Sequence, residues 1–329
     1  MRSTFLCSIL LLLSFLAQAQ GPQQLVTVPI GIGQTAPGWL YLPADYATSN
    51  KKYPVIFFYH GIGEAGTNPY TLLSQGLPNL IANGMRPDNI TNPVDGQQYS
   101  FIVLSVQHWS WSPSPDWLPF EIDWLQQNYR IDTTRIYATG MSAGGQRSFA
   151  STVSNPAISR LIAAAVPMSP ATVTPIDSSL IAQYSIKTWF FSGSTDGGYT
   201  QNATSYSQMC NNQLPGSSRL NIYSGGHCCW NTFYNTSWRD AGSNLSIYEW
   251  MLTNRRTIAN NPLPVAIANV RATDLGGRRV RVDFTANGQE NGDRFFVKLI
   301  VKGRPQLIEV TAADRTGTNT YSKIINLNQ

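Results

Sequence analysis

Between residues 25 and 255, short unbroken apolar runs alternate with longer stretches in which apolar residues return every three or four positions. Residues 53–59, 101–106, 161–169, 187–192 and 219–223 are runs of the first kind. The run at 53–59 closes in His60-Gly61-Ile62-Gly63, the pattern of a central strand covered on both faces. Residues 25–32 and 38–42 predict an antiparallel pair joined by a Gly-Gln-Thr-Ala-Pro turn at 33–37. The second kind of stretch predicts helices at 70–84, 118–129, from Ser142 to about Val153, 200–211 and 240–255. Strands separated by helices imply a doubly wound, mostly parallel sheet with helices on both faces, an α/β architecture.

The pattern changes at Asn260-Asn261-Pro262-Leu263-Pro264. Beyond it, residues 265–270, 280–284, 294–301 and 306–311 alternate apolar with polar and are separated by Gly, Asp and Asn. No helix-length period appears, so a small C-terminal antiparallel β domain, a partial sandwich, is predicted. At the other end, Arg2 precedes an apolar run from Phe5 to Leu16 and then Ala17-Gln18-Ala19, which reads as a secretory signal cleaved after Ala19. The run is short for a membrane span. The expected organisation is therefore a signal at 1–19, the main α/β domain at 20–260 and the β domain at 261–329, with no membrane span once the signal is removed and a secreted or periplasmic destination.

Composition alters this picture little. With 42% hydrophobic and 12% charged residues the chain is globular, not disordered. The net charge of +5 is concentrated after residue 262, where ten basic residues face six acidic ones; so modest an excess does not indicate a nucleic-acid binder. Export leaves Cys210, Cys228 and Cys229, an odd number. Cys210 pairing with Cys228 or Cys229 is the expected disulfide, a vicinal Cys228–Cys229 bond being possible but strained. No paired Cys-x-x-Cys spacing points to a metal. Asn89, Asn202, Asn235 and Asn244 begin glycosylation sequons.

The candidate chemistry centres on Gly140-Met141-Ser142-Ala143-Gly144, set between a β-prone run at 136–138 and a helix. Strand, sharp turn and helix in that order lift a serine hydroxyl clear of a sheet, with room only for glycine on either side. Such a hydroxyl needs a base to take its proton and a carboxylate to orient the base. The chain has three histidines. His227 lies in a glycine-rich loop after the last strand of the sheet, where an α/β protein gathers catalytic groups. His60 is better placed to organise its loop by hydrogen bonding, and His108 to line a substrate loop. Only Asp177 and Asp196 lie between Ser142 and His227. Asp177 sits in an ordinary turn, and Asp196 follows the strand at 187–192, at its carboxyl end. Donors for a developing oxyanion are the backbone N–H groups of Ala143 and Ile62, worth about 3 kcal/mol each. Trp109, Trp111 and Trp117 after the strand at 101–106, with Trp230 beside His227, offer aromatic faces for sugar rings or phenolic acyl groups.

Taken together, His60-Gly61, Gly140-x-Ser142-x-Gly144, Gly193-x-x-Asp196, Gly226-His227 and Trp230 resemble the α/β-hydrolases, and specifically the secreted esterases grouped with feruloyl esterases, polyhydroxybutyrate-depolymerase-like proteins and predicted peptidases. The likeness spans residues 25–255. It implies Ser142 as nucleophile, His227 as general base and then acid, and Asp196 as its orienting partner, with no cofactor and no metal. Gly197-Gly198-Tyr199-Thr200 after Asp196 departs from the usual Val-Pro, and the two cysteines after His227 are a second departure. The expected activity is hydrolysis of a carboxylic ester, with feruloyl or acetyl groups on plant polysaccharide as partner substrate. A peptidase or polyester depolymerase on the same triad, and an inactive carbohydrate-binding or adhesion protein, are the alternatives.

Overall fold

A computed structural model describes residues 22–31, 33–109, 117–256, 266–277, 279–287, 295–301, 304–310 and 320–326. Eight strands form one sheet: β1 Gln23–Gly31, β2 Gln34–Tyr41, β3 Tyr53–Tyr59, β4 Ile102–Val106, β5 Ile131–Met141, β6 Ala164–Met168, β7 Lys187–Gly193 and β8 Ser218–Tyr223. Their spatial order is β1-β2-β4-β3-β5-β6-β7-β8. β2 runs antiparallel to β1 and β4, and the rest of the sheet is parallel. The first hairpin is tighter than expected. Gly31 pairs with Gln34, so Pro37, read as part of the turn, sits inside β2 opposite Thr27.

Side chains of β3 leave the sheet alternately. Val55, Phe57 and Tyr59 enter one apolar layer, and Ile56 and Phe58 enter the other. The first layer is covered by α2 Leu118–Asn128, α3 Ala143–Val153 and α4 Gly198–Gln213. The second is covered by α1 Gly76–Ala82, α5 Trp230–Tyr234 and α6 Ile247–Leu252. Burial on both faces is what the unbroken apolar runs require, since each strand has no solvent side on which a polar residue is favoured. The closing helix is shorter than its expected 240–255. It starts at a capping box in which Ser246 and Glu249 bond each other's backbone N–H. Asp240 holds a turn instead, accepting from Ser243 N–H at 2.8 Å.

Beyond the sheet, β9 Ala266–Gly276, β10 Arg279–Asn287 and β13 Thr320–Asn326 form an antiparallel three-stranded sheet, and β11 Phe295–Val301 pairs with β12 Arg304–Val310. Phe284 and Tyr321 stack across the β10–β13 pair, ring centroids 5.2 Å apart. Strand β13 carries no alternation strong enough to have been anticipated. The expected signal peptide lies outside the described residues. Among those described, no helix is long and apolar enough to cross a membrane.

The junction of β5 and α3 is the tightest place in the sheet. Ser142 has φ 57° and ψ −118°, a left-handed conformation that a side chain rarely adopts. On either side of it, a Cβ placed on Gly140 would lie 2.4 Å from Tyr59 O, and one on Gly144 only 1.9 Å from the same oxygen. Neither obstacle is a movable side chain, so the backbone itself would have to shift. Gly144→Ala is expected to lower the unfolding free energy by about 3 kcal/mol or more, measured by urea titration. A loss below about 1 kcal/mol would show that the strand–helix contact is not as tight as described.

Candidate active site

The turn that strains Ser142 also aims it. Its N–H donates to Met168 O on β6 at 2.9 Å, and its carbonyl accepts from Gln146 N–H as α3 begins. The hydroxyl, left pointing away from the sheet, lies 2.9 Å from His227 Nε2. His227 Nδ1 is 2.8 Å from Asp196 Oδ1. Because the carboxylate can only accept, Nδ1 carries the proton and Nε2 is the basic nitrogen facing serine. Asp196 is buried and its other oxygen accepts from Ser192 Oγ at 3.3 Å. The residue is held at the end of β7 by its own N–H bonding Gly193 O. The loop carrying His227 is tied to the loop carrying Asp196: Thr195 N–H and Oγ1–H both donate to Gly225 O, each at 2.9 Å. A Cβ on Gly193 would come within 2.4 Å of the carbonyl oxygens of both Gly225 and Gly226, so the loops meet only over a glycine.

The His227 ring is held from two sides. Tyr199 packs against its face, centroids 4.1 Å apart and tilted 36°, and Trp230 meets it edge-on at 5.0 Å. Tyr199 belongs to the departure noted after Asp196, but residue spacing gave it no role. The glycine pair before it begins α4 and swings the ring back over the histidine.

Ala143 is the first residue of α3, so its N–H has no carbonyl within the helix to bond. Ile62 opens the single 3-10 turn Ile62–Glu64 in the same way. The loop bearing it lies against the nucleophile: a Cβ on Gly61 would be 3.7 Å from Ser142 Cβ. His60 fixes this loop. His108 N–H donates to His60 Nε2 at 2.9 Å, which leaves the proton on Nδ1, and Nδ1–H donates to Gly61 O at 2.7 Å. The Gly61 carbonyl and the Ile62 N–H belong to one trans peptide and point in opposite directions. Capturing the carbonyl therefore turns the N–H the other way. Burial lowers the His60 pKa and keeps the ring neutral, as this double role requires.

The structure buries two of the residues expected to meet substrate, His108 and Trp230. His108 is 1% exposed, and its ring stacks on Trp117 at 3.9 Å and receives a hydrogen bond from Arg147. Burial first, and then the Arg147 charge, hold its pKa well down. It supports the site from within rather than lining a substrate loop. Trp117 is half-buried, stacked on His108 and 5.1 Å from the Arg147 guanidinium, and Trp230 is buried with its indole N–H on Ser169 Oγ at 3.1 Å. Trp109 is 53% exposed and leans on Trp117 at 5.0 Å. Trp111 lies outside the described residues.

The expected Cys210 disulfide is also corrected. Cys228 and Cys229 are bonded to each other. Cys210 faces the apolar layer with Phe190 and Tyr206, away from the loop, and burial pushes its thiol up to about 12.

Two charged residues went unnoticed in the sequence. Arg147 and Glu121 are both fully buried behind the elbow, with Nη2 and Oε1 3.8 Å apart, and Arg147 also lies over the Tyr59 ring at 4.5 Å. A charge on an otherwise apolar helix face, once on α2 and once on α3, was the available signal.

Strand order β1-β2-β4-β3-β5-β6-β7-β8, a serine on the turn after β5, an acid after β7 and a histidine after β8 define an α/β-hydrolase fold. Among solved structures, the chain is similar to a thermostable esterase at 22% identity, over 71% of this chain and 64% of that one, with a TM-score of 0.48. It thus spans less than two thirds of that esterase. It is similar to a ferulic acid esterase at 18% identity over 64% of this chain and 94% of that one, TM-score 0.44. It is also similar to a feruloyl esterase module from Clostridium thermocellum complexed with sinapinate, at 15% identity over 71% and 87%, TM-score 0.47. Likeness at this level carries no argument about activity. No family model and no curated protein matches the chain.

The buried pair behind the elbow has a pH signature. At 3.8 Å Arg147 is too far for a hydrogen bond, so burial wins and pushes the Glu121 carboxyl up to about 7. The folded state therefore holds this proton more tightly than the unfolded chain, whose Glu titrates near ~4.3. Stability from Glu121 is full below that value and is lost as pH rises through about 7. Measured against Glu121→Gln, wild-type unfolding free energy should fall by up to about 4 kcal/mol across this window. Asp123, itself pushed up to about 6 by burial, is present in both proteins and cancels. A pH-independent difference would contradict the assignment.

Proposed function

We propose that the protein is a secreted serine esterase that cleaves carboxylic esters through an acyl-enzyme, on feruloyl or acetyl groups of plant polysaccharide. The observation that carries the reading is the unbroken chain from Ser142 Oγ to His227 Nε2 at 2.9 Å and from His227 Nδ1 to Asp196 Oδ1 at 2.8 Å. His227 takes the hydroxyl proton as Oγ attacks the ester carbonyl carbon. The carbonyl oxygen gains the negative charge and is met by the Ala143 and Ile62 N–H groups. As the tetrahedral species collapses, the C–O bond to the alcohol breaks and His227 returns the proton to the departing oxygen. Water then repeats the sequence on the acyl-serine, His227 taking its proton, and releases the acid. Asp196 keeps Nδ1–H in place and offsets the imidazolium charge throughout.

Export is supported by the 1–19 signal pattern and by the Cys228–Cys229 disulfide, which belongs to an oxidising compartment. An aromatic or small acyl group is supported by the exposed apolar side chains of Ile62, at 56%, and Trp109. The expected result is turnover of methyl ferulate and p-nitrophenyl acetate, with kcat reduced roughly 10⁴-fold or more in Ser142→Ala and in Asp196→Asn. Turnover unchanged in Ser142→Ala would sink the proposal, and peptide cleavage faster than any ester would convert it to a peptidase.

A further inference from the structure

On this esterase reading, the orientation of the Ile62 N–H decides how well the oxyanion is met. The turn bearing it does not hold itself. It is a three-residue 3-10 turn closed by Glu64 N–H to Gly61 O at 3.3 Å and Ala65 N–H to Ile62 O at 3.2 Å, both long bonds. Its beginning is pinned by His60. Its end is pinned by Gln107, the residue that follows β4.

Gln107 is buried, and its Nε2 donates to Glu64 O and to Asn68 O, each at 2.9 Å, with Thr71 Oγ1 at 3.0 Å. Two carbonyl oxygens around one amide terminus fix which way the amide faces, because an oxygen there would meet both without a proton. The Gln107 backbone N–H is itself anchored to Pro37 O on β2 at 2.8 Å, and the next carbonyl, His108 O, accepts from Gly66 N–H at 2.8 Å. The end of a central sheet strand thus grips the loop at Glu64, Gly66 and Asn68.

We infer that Gln107 is a positioning residue for the oxyanion donor. It acts through the Glu64 carbonyl and the turn, and does not touch substrate. Without its two hydrogen bonds the far end of the Ile62–Glu64 turn keeps Thr71 Oγ1–H on Glu64 O at 3.1 Å and Gln75 Nε2–H on Glu64 Oε1 at 2.6 Å but loses the side-chain grip from the end of β4, and the Ile62 N–H is less firmly fixed where charge develops. The ground-state ester carries little charge on that oxygen, so substrate binding should be spared while transition-state binding is lost.

The test is Gln107→Met, which keeps the length of the side chain and removes the donor. Assayed well below its own melting temperature, it should show kcat for p-nitrophenyl acetate lowered about 10- to 100-fold with KM within about twofold of wild type. The affinity for phenylboronic acid, whose tetrahedral adduct places an oxygen in the oxyanion site, should fall in parallel with kcat. Thr71→Val serves if that variant does not fold: it takes a hydroxyl from the same junction without touching β4, and kcat should drop severalfold. Unchanged kcat, a rise in KM alone, or boronate affinity equal to wild type would overturn the inference while leaving an active wild type, and so the esterase reading, in place. A wild type inactive on every ester would overturn the reading and the inference with it.

Discussion

Everything at the active face depends on how closely β3 and the β5–α3 turn approach one another. Tyr59 O is so near Gly140 and Gly144 that no side chain fits at either position. The same approach forces Ser142 into its left-handed conformation and presents its hydroxyl beyond the ends of the strands. Strain of this kind costs on the order of 1–3 kcal/mol and persists only where the surroundings over-determine it. Here the surroundings are two fully covered strands and the hydrogen bond from Ser142 N–H to Met168 O. The sheet is thus the source of the geometry, and the triad distances follow from it. Asp196 and His227 sit at the ends of neighbouring parallel strands, and their loops are stitched together over Gly193.

Behind the elbow lies a buried polar layer that an apolar core would avoid. Glu121, Arg147, His108 and His60 connect α2 and α3 to the loop before Ile62. Burying such groups is costly unless they are paired. The burial-driven shifts of Glu121, His108 and His60 all act against the charged form. Neutral histidines are what the arrangement needs, because each ring must accept at one nitrogen. The polar layer exchanges some stability for fixed peptide orientation at the loop leading into Ile62, a common trade at functional sites.

The central strands were legible because burial on both faces leaves an unbroken apolar run, and the Ser142–His227–Asp196 grouping because three histidines and two intervening acids left few combinations. Strand β5 was seen only at 136–138. Its first half, Asp132-Thr133-Thr134-Arg135, is polar and bulges from the sheet between Ile131, opposite Tyr53, and Ile136, opposite Val55, with Asp132 and Arg135 ion-paired. Charges on helices ordinarily read as solvent-facing, which hid Glu121 and Arg147. Aromatic residues after a strand read equally well as substrate platforms or as packing; the fold sends Trp117, Trp230 and His108 inward and leaves Trp109 exposed. The partner of a cysteine depends on three-dimensional distance, and nothing in the spacing of Cys210, Cys228 and Cys229 revealed that the first points into the core.

The central claim is that Ser142 becomes acylated. It is tested most directly by acid-quenching the reaction with p-nitrophenyl acetate in its first turnovers and locating any added acetyl group by peptide mass mapping. The account predicts an acetyl group on the peptide containing Ser142, formed with a burst of p-nitrophenol and absent from His227→Ala. Acetylation at another residue, or steady turnover with no covalent adduct, would contradict it.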